Sequence, residues 1–158
     1  MSKVTPFITF DGRGAEAVKL YTSLIKNSKI HNMEQWEPGG PVKEGSLINA
    51  TFELDGQPFM AMDVDGGFAH GEGFSIYVDC KDQAEVDLLW EKLSEGGEKQ
   101  PCGWLKDKYG ISWQIIPSAL PELLGKAEGK KKQAVLGAML KMKKIIVADL
   151  DEAYQKAS

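Results

Sequence analysis

Cys102-Gly103-Trp104-Leu105-Lys106-Asp107-Lys108-Tyr109-Gly110-Ile111-Ser112-Trp113-Gln114-Ile115-Ile116-Pro117 is the stretch on which the fold turns. Two runs rich in aromatic and β-branched residues, Cys102 to Lys106 and Ile111 to Ile116, flank Tyr109-Gly110, and Pro117 closes the second. Such runs punctuated by a glycine turn read as a β-hairpin. The same grammar occurs earlier, where Ser46 to Leu54 and Pro58 to Val64 flank Asp55-Gly56, a strong two-residue turn signal.

Each hairpin follows a strand and a helix. Val4 to Phe10 is a short apolar run ended by Asp11-Gly12, and Ala15 to Ile25 carries apolar residues at 17, 18, 20, 21, 24 and 25, the spacing of a helix. Lys29 to Trp36 reads as a further strand, with Pro38-Gly39-Gly40-Pro41 as the loop after it. A glycine-rich connection from Asp65 to Gly73, including Gly67, leads to a second strand, Phe74 to Val78. Gln83 to Leu93, apolar at 84, 86, 88, 89, 90 and 93, is a second helix stopped by Gly96-Gly97. A shift of 69 residues lays Leu20, Tyr21 and Leu24 on Leu89, Trp90 and Leu93, and a shift of 54 lays Gly56 on Gly110 and Phe59 on Trp113. The chain is therefore expected to be α+β. Two βαβββ modules, about 4–65 and 73–117, make a core of residues 1–120. A C-terminal helical extension, 121–158, follows it, and there Ala134, Val135, Ala138, Met139 and Met142 form a stripe and Asp149 starts a second helix over Leu150–Tyr154. A methionine stripe at this spacing is expected to dock on the core or on a partner subunit.

Composition narrows the class. The 158 residues are 42% hydrophobic and 27% charged with a formal charge of −4, enough apolar content for a folded core without staples. No run reaches 18 apolar residues and the first residues lack an apolar signal region, so no membrane partner or secretion is expected. Cys80 and Cys102 fit thiols in a reducing, cytoplasmic compartment. The mild acidity speaks against nucleic acid as a partner. The lysines concentrate from Lys126 onward, eight against four acidic residues, and Lys130-Lys131-Lys132 and Lys143-Lys144 read as a solvated helix face.

The segment Pro101 to Pro117 resembles the hallmark of PhnB-like proteins, members of the vicinal-oxygen-chelate superfamily with glyoxalase I and the bleomycin- and fosfomycin-resistance proteins. Phe10-Asp11-Gly12 with Ala15 to Tyr21, Tyr77-Val78-Asp79-Cys80, Glu85 to Trp90 and Lys141-Met142-Lys143-Lys144 are similar to the same family. The resemblance implies curled mixed sheets of the glyoxalase/bleomycin-resistance kind, a homodimer and a ligand cavity within the concave sheet. This branch is often labelled 3-demethylubiquinone-9 3-methyltransferase. Gly12-Arg13-Gly14-Ala15-Glu16-Ala17 does fit G-x-G-x-x-A before a helix, with Glu34 twenty residues past Gly14. A nucleotide-type fold, however, needs repeated βα units, and hairpins follow here, so the motif reads as a turn that starts a helix.

The resemblance also implies a divalent ion held by His and Glu on four strands. The overlay places the equivalent positions near Pro6, Ser75, Met60 and Gln114, and a one-residue slip gives Phe7, Phe74, Ala61 and Trp113. Only Gln114 offers an oxygen of any use, and it is uncharged. His31, at a strand start, and His70, in a loop, read as surface residues, and Asp63 and Asp65 as a solvated turn. The expectation is an inherited cavity with no metal and no cofactor. Strand alternation puts Met60 with Met62, Ser75 with Tyr77, and Ser112 with Gln114 and Ile116 on the ligand face. It leaves Phe59, Trp113 and Ile115 under the helices, with Trp104 also read as packing. Trp36 is placed to close over a ligand, and Cys102, although near Lys106, reads as a structural thiol, so no catalytic residue is assigned. The expected function is sequestration or sensing of a small, partly aromatic molecule. The alternatives are a metal-dependent lyase or dioxygenase of the same fold and an S-adenosylmethionine-dependent 3-demethylubiquinone methyltransferase.

Overall fold

A computed structural model of the chain describes residues 3–66 and 69–157, so Gly67 of the glycine-rich connection lies outside the described residues. The chain divides into two compact units, residues 1–68 and 69–158.

The first unit runs β1 (Phe7–Phe10), α1 (Gly14–Leu24), β2 (Lys29–Gln35), β3 (Leu47–Leu54) and β4 (Gln57–Asp63). Its sheet has the order β1-β4-β3-β2, with β1 parallel to β4 and the other pairs antiparallel. The Asp55-Gly56 turn has φ of 47° and 79°, the left-handed pair that a tight hairpin needs and that Asp-Gly tolerates. One face of α1, Ala17, Val18 and Tyr21, is fully buried over Phe10, Leu47 and Phe52, and Phe52 stacks on Phe59 at 5.5 Å.

The second unit repeats the plan: β5 (Ser75–Cys80), α2 (Gln83–Ser94), β6 (Glu98–Lys99), β7 (Trp104–Lys106) and β8 (Ser112–Pro117), in the order β5-β8-β7-β6. Again the first strand is parallel to the last, and the expected pair of βαβββ modules with curled, unclosed mixed sheets is present. The Asp82 carboxylate accepts from Glu85 N at 2.9 Å, and the Glu85 carboxylate accepts from Lys81 N at 3.0 Å, so two orphan amides are satisfied at the start of α2. Val86, Leu89, Trp90 and Leu93 bury the helix against Leu105, Trp113 and Ile115.

Three local features differ from the sequence reading. Pro101–Gly103 is a tight 3-10 turn rather than strand, with Cys102 at φ 62°. The two-residue β6 is new; it is too short to show a periodicity, and at Gly97 a Cβ would lie 2.1 Å from the Lys106 carbonyl oxygen, so only glycine admits the close approach. The extension holds three helices instead of two: α3 (Ala119–Lys126), α4 (Gly129–Leu140) and α5 (Val147–Lys156). Pro121 disguises α3, yet it sits in the first turn, where a missing N–H costs nothing. Leu120, Leu123, Val135, Ile145 and Leu150 form one buried cluster with Ile116 of β8, and Ala138, Met139 and Met142 pack against it, so the methionine stripe does dock on the core of its own unit. Gln83 of α2 fastens this extension. Its amide oxygen accepts from Val147 N at 2.7 Å and its nitrogen donates to the Ile145 carbonyl at 3.0 Å, while Lys144 pairs with Asp87 at 3.0 Å.

Candidate ligand-binding face

Each sheet turns one face to its helix and leaves the other for chemistry. In the first unit Phe59 and Ala61 of β4 are buried under α1, and the alternate residues Met60 and Met62 lie on the opposite face. Pairing sets Phe7 beside Met60 and Thr9 beside Met62, with Thr51 on the other side of Met60. Phe7 and Met60 are among the chain's exposed large hydrophobics, at 49% and 37%. Further across the sheet, Asn32 donates to Asn49 at 2.6 Å and Asn49 to Glu34 at 3.1 Å. Trp36 follows β2, its amide bound to the Ser46 carbonyl at 2.9 Å and its ring beside Gly40 of the following loop.

In the second unit Trp113 and Ile115 are buried on the α2 side. Across β5, β8 and β7 the register aligns Tyr77 with Gln114 and Gln114 with Trp104, and directly paired residues share a face. The neighbouring row is Ser75, Ser112 and Lys106. Gln114 Nε2 donates to Ser75 Oγ at 2.9 Å, so two of the expected residues meet. Ser112 is 1% exposed and its hydroxyl has no partner. Tyr77 is half-exposed, and burial first, then the charge of Asp79, pushes its phenol above the ordinary value, which keeps it a proton donor at neutral pH. Ile116, expected on the ligand face, is instead buried in the α3–α5 cluster, because the extension covers that end of the face.

Trp104 was missed as a face residue. Its signal was available: Leu105 opposes Trp113 across the hairpin, so Trp104 must share the Gln114 side. The register also refines the overlay of the two units, since Phe7 pairs with Met60 as Tyr77 pairs with Gln114. The paired open-face positions are thus Phe7 and Met60 in the first sheet and Tyr77 and Gln114 in the second. Neither an apolar pair nor a protonated phenol beside an amide fits a hard divalent ion, which asks for carboxylate or imidazole. Among the described residues no three His, Cys, Asp or Glu side chains are grouped to hold a metal. His31 pairs with Glu53 at 3.0 Å on β2, and the His70 ring lies against Gly110.

The glycine turn before α1 is occupied by the protein itself. Asp63, expected to be solvated, accepts from Gly12 N and Gly14 N at 2.9 Å each and from Leu47 N at 2.6 Å. A carboxylate already sits where the helix start would take an anion. Asp107 plays a similar part in the second hairpin. It is buried and accepts from Tyr109 N at 2.9 Å, Ile111 N at 3.0 Å and Trp113 Nε1 at 2.9 Å. Neither thiol forms part of the face: Cys80 is fully buried and its pKa is pushed up to about 12, chiefly by burial.

Paired βαβββ units of this topology define a glyoxalase/bleomycin-resistance-like fold of the vicinal-oxygen-chelate superfamily, and the fosfomycin resistance protein FosX from Mesorhizobium loti shares it at 17% identity, with 80% of this chain and 100% of that chain covered and a TM-score of 0.52. The chain belongs to the 3-demethylubiquinone-9 3-methyltransferase family, the PhnB-like branch, whose model matches residues 2–116. The PhnB protein from Bacillus cereus, which carries the 3-demethylubiquinone-9 3-methyltransferase name, is 38% identical over 73% of this chain and 99% of its own, with a TM-score of 0.66. A protein from Pseudomonas aeruginosa is 21% identical over 74% of this chain and 98% of its own, with a TM-score of 0.63. No curated protein matches. Among the described residues no helix is long and apolar enough to cross a membrane.

Proposed function

We propose that this PhnB-like chain binds a small organic molecule on the open faces of its sheets and sequesters or senses it, without a hard divalent ion. The observation that carries this reading is the open-face set, Phe7 with Met60 in one sheet and Tyr77 with Gln114 in the other. It offers apolar area and hydrogen bonds but no anionic ligand, the composition of an organic-ligand site rather than of a Lewis-acid site. Met62, Ser75 and Ser112 extend the face, and Trp36 is assigned to closing over the ligand. The protein works in this reading as a cytoplasmic homodimer, a second copy covering exposed apolar residues such as Phe74.

Methyl transfer is the second reading, favoured by the family name. The occupied helix start argues against it, since Asp63 fills the position that a cofactor carboxylate or phosphate would take. Native mass spectrometry of protein purified from its own host tests the first reading: a co-purified small molecule released on unfolding is expected. Calorimetric heat with S-adenosylmethionine, together with methyl transfer to a quinol acceptor, would establish the second instead.

A further inference from the structure

Within the second unit, the ends of the open sheet face are already spoken for. At one end Ile116 lies in the α3–α5 cluster, and Ser118 Oγ donates to Asp79 at 2.7 Å. At the other, Lys106 pairs with Glu72 at 3.0 Å, and Gln100 donates to the same carboxylate at 3.2 Å. What remains is the middle row, Tyr77, Gln114 and Trp104, on three adjacent strands.

The two aromatic residues stand two strand spacings apart, about 9–10 Å. Offset stacking sets ring centroids roughly 4.5–7 Å apart, so a single flat ring fits between them with one face on each. Gln114 lies between the two, with its amide nitrogen engaged by Ser75 and its oxygen left to accept. Beside the row, Lys106 is paired with Glu72 and Asp79 accepts from Ser118, and the row itself carries no charged side chain.

We propose that Tyr77 and Trp104 clamp a flat, uncharged aromatic ring, and that the Gln114 amide oxygen accepts from a hydroxyl carried in the plane of that ring. This rests on the small-molecule reading above and narrows its ligand to a class: planar, neutral, with an in-plane hydrogen-bonding substituent.

The test uses the full chain and two probes, 2-naphthol and decahydro-2-naphthol, which share a hydroxyl but differ in flatness and π-character. Indole N–H resonances of the four tryptophans report where each binds. The clamp requires 2-naphthol to move the Trp104 signal and to bind roughly tenfold more tightly than its saturated analogue. Trp104→Leu and Tyr77→Leu should each cost about tenfold, while Trp104→Phe restores most of the affinity. That rescue separates stacking from a folding defect. Gln114→Leu should abolish the preference for 2-naphthol over naphthalene. Equal binding of the flat and saturated alcohols at this face overturns the clamp but leaves the organic-ligand reading intact. Absence of binding by either alcohol also overturns the clamp, and the co-purified ligand then decides the wider reading separately.

Discussion

Asp107 and Asp63 each tie down three donors with one carboxylate. Asp63 reads as a solvated turn acid and Asp107 carries no special signal in the sequence, because nothing in a local pattern reports that distant amides converge on a side chain. Their partners make their energetic weight predictable. Asp107→Ala leaves two amides and the Trp113 indole N–H unpaired in a buried site, at about 1–3 kcal/mol for each group. A chain of this length loses roughly 2–4 °C of Tm per kcal/mol, so calorimetric melting should fall by on the order of 10 °C. A change within 2 °C would show that the Asp107 bonds carry no net stability. The thiols give a sharper contrast. Cys80 is fully buried with its pKa near 12, whereas Cys102 is partly exposed. A thiol reagent at pH 8 should label Cys102 in the folded protein and reach Cys80 only after denaturant is added; rapid labelling of both would contradict the burial.

At the scale of elements, the strands and helices that alternate cleanly were legible: β3 and β4 around Asp55-Gly56, and α1 and α2 from their apolar spacing. What escaped was set by tertiary contact. β6 exists because Gly97 lets the chain come against β7, and α3 because its apolar residues find Ile116. The extension is held by Gln83 and by the Lys144–Asp87 pair, and this latch has a pH dependence. The Gln83 hydrogen bond first, then Lys144, holds the Asp87 carboxyl below its ordinary value. A carboxyl with a depressed folded-state pKa contributes stability that is present above its unfolded pKa, about 4, and is lost as pH falls through the folded value. Lys144→Met should therefore lower Tm slightly at pH 7, and the difference from the parent should shrink as pH falls below about 4. A difference that persists undiminished at pH 3 would place the Lys144 contribution elsewhere.

For the whole molecule, the duplication was readable because two hairpins and two helices recur in the same order, and both sheets then adopt one strand order. The face was readable less completely. Alternation puts Met60, Met62, Ser75, Tyr77 and Gln114 on the sides away from the helices, but Ile116 belongs to the extension's core, and Trp104 joins the Gln114 side only through cross-strand register. The same long-range registers put Phe7 beside Met60 in one sheet and Tyr77 beside Gln114 in the other, and neither pair offers a carboxylate or an imidazole. The most direct test of binding without a hard divalent ion is a calorimetric titration of the purified, chelator-treated protein with Mn2+, Ni2+ and Zn2+, repeated on Gln114→Ala. No stoichiometric binding is expected for either protein. One tightly held equivalent in the parent chain that disappears in the Gln114→Ala variant would contradict that expectation.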